Sequence, residues 1–239
     1  VVLMHELPGI TPQCLELAER IIAAGFRVYL PHFFGTPGRR SIARGLIHIC
    51  ISREWYCLAR RRSSPITAWL RALCRVAHRE CGGAGVGAVG MCLSGNFALS
   101  LMVEPSVLAP VLSQPSLPLN HCCSSYRTRA ALACSPAELE AAKQRARENV
   151  PLLGFRFSHD AVSPPERFTR LRQEFGDQFE GHEIDSGPDN PHGIPRTAHA
   201  VLTLHLVDRE GHPTREALER ILEFLQERLG GHAAGGSNR

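Results

Sequence analysis

The sequence predicts a single α/β domain in which a mostly parallel sheet is covered by helices on both faces. Three observations point to it. Strand-like and helix-like apolar patterns alternate along most of the chain. The apolar fraction of 44% in 239 residues fills one sizeable core, yet its runs stay far short of the ~20 residues that cross a bilayer. No linker and no internal repeat divides the chain, so one domain is assigned to residues 1–229 and a disordered tail to 230–239.

The elements follow in order. Residues 1–4, Val-Val-Leu-Met, read as a short buried strand. After a turn at 7–9, residues 12–24 carry Leu15, Ala18, Ile21 and Ile22 at helical spacing, and Gly25 ends the helix. Residues 26–30 are a second strand closed by Pro31, and 31–38 are loop because proline and glycine break both patterns. Weak periodicity makes 41–62 an irregular surface excursion ending in Arg60-Arg61-Arg62. A helix over 67–81 gathers Trp69, Leu70, Leu73, Cys74 and Ala77 on one side. Strand 85–91, helix 93–102 and strand 107–112 lead to the turn Gln114-Pro115-Ser116-Leu117-Pro118, and 120–134 shows no clean period. Ser135-Pro136-Ala137-Glu138 combines a cap, a first-turn proline and an acidic residue, opening a helix to about 148. Strand 150–157, helix 165–175, a polar loop, a last strand over 200–207 and an amphipathic helix over 214–229 complete the pattern.

Charge and cysteine usage narrow the class. Lys+Arg 27 against Asp+Glu 23 leaves +4, and with no nucleic-acid module the arginine run reads as a solvated basic face. No basic-then-apolar leader opens the chain, and its nine scattered cysteines, odd in number, read as reduced thiols of a cytoplasmic protein. A monomer is expected because no apolar stripe stands exposed by pattern.

The chemical signal lies in Gly90-Met91-Cys92-Leu93-Ser94-Gly95. It places a cysteine between a buried strand and a helix, with small residues on either side where the backbone doubles back. Such a cysteine projects above the sheet, and the helix N-terminus favours its thiolate. The NH of Leu93 is a natural half of an oxyanion hole. The bland alternative is a small buried hydrophobe. An acid and a histidine come later in the required order: Asp160 after the strand ending at 157, and His212 between the last strand and the last helix. Asp160 could otherwise be a turn carboxylate, and His212 a helix-start residue facing solvent. His192 and His199 lie in or beside the loop before the expected last strand, and His205 within that strand. A zinc site from His182, Asp185, Asp189, His192 and His199 matches no compact spacing, so no metal and no cofactor is assigned.

These residues resemble the dienelactone hydrolase family, whose fold is that of the α/β-hydrolases. The elbow is similar to that family's Gly-x-Cys-x-Gly-Gly, with Ser94 in place of the first paired glycine, and His5-Glu6-Leu7-Pro8-Gly9 and Arg27-Val28-Tyr29-Leu30-Pro31 resemble its early strands. The resemblance implies a Cys92-His212-Asp160 triad, Glu6 governing Cys92 ionisation, and the amides of Leu7 and Leu93 as oxyanion donors. It implies a small ester or lactone as substrate, cleaved through an acyl-thioester. Arg53 is the one candidate for holding a substrate carboxylate, and the loop 181–199 has no counterpart and is expected to border the pocket. The family's early edge strands, one or two of them, are expected to be absent before residue 1. The alternative is a catalytically inactive relative with a binding or redox-sensitive thiol.

Overall fold

Five strands, β1 (Val2–Met4), β2 (Val86–Met91), β3 (Val107–Ser113), β4 (Leu152–Phe157) and β5 (Phe179–Ile184), pair in parallel in the order β1-β2-β3-β4-β5. Parallel neighbours require a crossover between each pair, which is why helices separate the strands in sequence. The computed structural model describes residues 1–39, 64–117 and 129–230. The excursion 41–62 with Arg53, most of the aperiodic stretch 120–134 and the tail fall wholly or largely outside the described residues.

Helices α1 (Pro12–Ala23) and α6 (Pro213–Leu229) cover one face of the sheet. Helices α2 (Pro65–Cys81), α3 (Gly95–Leu101), α4 (Pro136–Arg147) and α5 (Pro165–Phe175) cover the other. Alternate strand residues split accordingly. Val2, Met4, Ala88 and Leu152 join Leu70, Phe97, Ala142 and Phe168. Leu3, Val89, Val111 and Phe155 join Leu17, Ile21, Ile221 and Leu225. The caps read from sequence are present: Ser135 and Glu138 form a reciprocal capping box at α4.

Two strand assignments change. Residues 26–30 run alongside β1 but share with it a single bridge, Val2 to Tyr29. Three-residue β1 and the missing N–H of Pro31 leave no room for a longer ladder. The last strand is β5, inside the stretch read as a polar loop, whereas 200–207 folds as turns. An edge strand needs one neighbour and one buried side. β5 buries Phe179 and Ile184 and pairs its charges: Glu180 with Arg220, and Glu183 with Arg172. The apolar alternation of 200–207 instead serves a wrap that buries Val201 and Leu202 against the α1/α6 layer and leaves Leu204 and Val207 exposed.

Candidate active site

Cys92 stands where β2 turns into a single 3-10 turn (Cys92–Ser94) and then α3, with φ at +56°. A non-glycine residue in that region is strained and is held only by over-determined surroundings. Those surroundings are visible at Gly90, where a Cβ would lie 2.3 Å from the Ser94 carbonyl oxygen, and at Gly95, where it would lie 3.0 Å from Pro115 Cα. The departure at Ser94 has a use. Its hydroxyl accepts from the Met91 amide at 3.0 Å and lies 2.8 Å from the Met4 carbonyl and 2.9 Å from that of Met91, which tie the elbow to the end of β1.

Asp160 follows β4 and is buried. Its Oδ1 accepts from the amides of Val162 at 2.9 Å and Ser163 at 3.1 Å. Arg156 of β4, itself buried, holds the same turn through the Ser163 carbonyl at 2.8 Å and the Ser158 carbonyl at 3.1 Å. With the turn fixed, Oδ2 is left to a histidine, and that histidine is His199: Nδ1 lies 2.6 Å from Asp160 Oδ2.

The pairing expected between Asp160 and His212 is therefore corrected. His212 caps α6, its Nδ1 accepting from the Thr214 amide at 3.3 Å and lying 2.8 Å from the Thr214 hydroxyl. Burial first, and then the nearby His192 and Arg209, lower its pKa. The order rule itself holds, because a histidine between the last strand and the last helix is what Asp160 meets. With the last strand at 179–184, His192, His199, His205 and His212 all satisfy that rule, and no local pattern separates them.

Burial of the His199 ring, the largest single effect, disfavours its charge. The nearby Cys92, followed by the hydrogen bond to Asp160, outweighs burial and raises the His199 pKa well above the usual value. Nε2 is buried without an aligned hydrogen bond, and Cys92 is among the groups that act on the ring. Cys92 Sγ has its own neighbour at 3.1 Å, the Ser116 hydroxyl.

Glu6 is buried at the end of β1, and both carboxylate oxygens accept: Oε2 from Gln114 Nε2 at 3.0 Å and Oε1 from the Thr203 hydroxyl. It ties the strand end to the loop that carries His199, a positioning role. His5 fastens the same strand end, with Nδ1 donating to the Glu6 carbonyl at 3.0 Å and Nε2 accepting from the Phe33 amide at 3.0 Å. That pattern fits the neutral ring, whose pKa is lowered to about 4, chiefly by burial. Leu7, Pro8, His199, Thr203 and Leu204 line a cavity of ≈ 110 Å³ against Glu6.

Two buried arginines escape sequence reasoning, although Arg156 announces itself as the one charge inside the apolar run Leu152–Phe157. The other, Arg167 of α5, bonds the Ala131 carbonyl at 2.9 Å and the Pro115 carbonyl. Burial lowers its pKa to about 10, opposed by Asp160 and Cys92, so at neutral pH it is a fixed cation acting on both. Of the loop residues weighed as metal ligands, His182 meets Glu180 at 2.7 Å, Asp185 accepts from the Gly187 amide at 2.8 Å, and His192 packs on His212. Among the described residues no three potential ligands converge.

Solved structures share this architecture. A monoacylglycerol lipase of Paleococcus ferrophilus is 15% identical, with 93% of each chain covered and a TM-score of 0.51. An esterase of Pyrococcus furiosus is 15% identical over 95% of this chain and 81% of that one, with a TM-score of 0.50. Acetyl xylan esterase 1 of a Thermoanaerobacterium species is 17% identical over 93% of this chain and 74% of its own, with a TM-score of 0.53. At such identities the likeness speaks for the α/β-hydrolase fold. No curated protein matches the chain. The profile of the dienelactone hydrolase family matches residues 1–229, from the first strand to the end of α6. The chain therefore belongs to the dienelactone hydrolase family and is an ester hydrolase.

Proposed function

We propose that the chain cleaves a small ester or lactone through a Cys92-His199-Asp160 triad and an acyl-thioester intermediate. The observation that carries this reading is His199: its Nδ1 is held by Asp160 at 2.6 Å, and Cys92 and Asp160 together favour its charged form. Asp160 fixes the tautomer and orientation of the ring, so that Nε2 serves the sulfur. The thiolate attacks the ester carbonyl, and the oxygen, gaining negative charge, is drawn to the amides of Leu7 and Leu93. As the tetrahedral adduct collapses, the C–O bond breaks and His199 gives its proton to the departing alkoxide. Water then adds to the thioester while His199 takes its proton, the C–S bond breaks, and the thiolate and imidazolium are restored with release of the acid. Arg167 favours the anionic sulfur in the resting enzyme and as it departs from the acyl group. A thiolate is a good leaving group, so activated esters and enol-lactones suit this cycle better than amides.

Purified protein run over a panel of activated aryl esters and small lactones tests the reading. Turnover is expected, and Cys92→Ala should lower kcat/KM by about a thousandfold or more. Undiminished activity in Cys92→Ala would sink the mechanism.

A further inference from the structure

Ser116 lies just past β3, after a turn in which Gln114 has φ +33°. Its polar groups all meet the elbow. The amide donates to the Cys92 carbonyl at 2.9 Å, the carbonyl accepts from Asn96 Nδ2 at 2.6 Å, and the hydroxyl oxygen lies 3.1 Å from Cys92 Sγ. The residue is 1% exposed, and the carbonyl of Pro115 before it is held by buried Arg167. With the backbone fixed on both sides, the hydroxyl is aimed by the fold. Against an anionic sulfur only one hydrogen-bond direction is open, because a thiolate accepts and cannot donate.

Resting on the assignment of Cys92 as nucleophile, we infer that Ser116 is a fourth group of the nucleophilic site: its hydroxyl donates to the Cys92 thiolate and aims the sulfur in the resting enzyme. The hydroxyl keeps its proton throughout. On acylation the sulfur gives an electron pair to the carbonyl carbon, loses its charge and becomes a poor acceptor, and the bond to Ser116 lapses until deacylation restores the thiolate. Among the described residues, His199 from the loop after β5 and Arg167 from α5 are charged groups that act on the same sulfur. Both remain in a Ser116 variant, so a change in pH dependence reports the hydroxyl.

The full chain is tested as Ser116→Ala, Ser116→Thr and Cys92→Ala. The rate of iodoacetamide alkylation at Cys92 is followed by peptide mass spectrometry between about pH 5 and 10, beside kcat and KM on an activated aryl acetate. Ser116→Ala keeps both backbone bonds; it should raise the alkylation midpoint by about one pH unit and lower kcat/KM at neutral pH about tenfold, with kcat carrying the loss. Ser116→Thr, which keeps the hydroxyl, should restore both. A buried hydroxyl with a merely structural role would leave the midpoint in place. An unshifted midpoint in Ser116→Ala, with Cys92→Ala inactive, overturns the inference. Full activity in Cys92→Ala overturns the nucleophile assignment instead, and the inference with it. Should Ser116→Ala not fold, Ser116→Gly is read by the same midpoint.

Discussion

The elbow and the histidine loop do their work by different means. The elbow is largely local: residues 90–96 fold on themselves through the small size of Gly90 and Gly95 and the Ser94 hydroxyl, with ties outside the segment to Met4, Pro115 and Ser116. The histidine loop is held from far away. His199 stays in place because Asp160 lies 39 residues earlier, because Thr203 reaches Glu6 across 197, and because the Val201 amide reaches Gln114 across 87. Within the loop the Nδ1 of His205 supports the Ala200 amide at 3.2 Å. The turn that carries Cys92 is thus specified largely by half a dozen contiguous residues, whereas the place of His199 depends on polar contacts that exist only after the sheet has formed.

Breaking the local half should cost most. Gly90→Ala puts a Cβ 2.3 Å from the Ser94 carbonyl, a backbone atom that cannot swing aside. Thermal unfolding should show a loss of about 3 kcal/mol or more. Acid should attack the distant half. His5, which anchors the strand end bearing Glu6, is neutral when folded, with its pKa at about 4 against an ordinary 6.5. The unfolded chain binds the proton first, so this contribution is whole above about pH 6.5 and lost as pH falls toward about 4, a swing of about 3 kcal/mol in denaturant melts. His5→Asn should flatten that slope.

A smaller test loosens the loop alone. Thr203→Val removes the hydroxyl bonded to Glu6 and should cost about 1–2 kcal/mol of stability, with kcat falling several-fold. Alkylation of Cys92 in that variant should keep most of its rate, since the elbow has its own supports. Equal loss in both measurements would show that the two halves are not separable.

The same contrast explains what the sequence made legible. Glycine spacing, cap chemistry and the 3.6-residue period are written in neighbours, so α1, α2, α4, α5, α6 and the central strands could be read within a few residues, and so could the elbow. Asp160 was legible because it directly follows a strongly apolar strand. β5 was not, because an edge strand whose charges find partners on α5 and α6 looks like a loop. Mistaking 200–207 for that strand placed His199 in front of the sheet's last element and left His212 as the one histidine between it and the last helix. His212 carries the helix-start signal, beside Pro213 and Thr214, and its position is indeed that of a cap.

The central claim is that His199, and not His212, is the base. Paired variants measure it: kcat/KM of His199→Ala and His212→Ala on one activated ester, with melting temperatures alongside. His199→Ala should lose about a thousandfold or more while remaining folded. His212→Ala should keep activity within a few-fold and lose about 1 kcal/mol of stability with its helix cap. The reverse pattern, with His212→Ala inactive and His199→Ala active, would contradict the account.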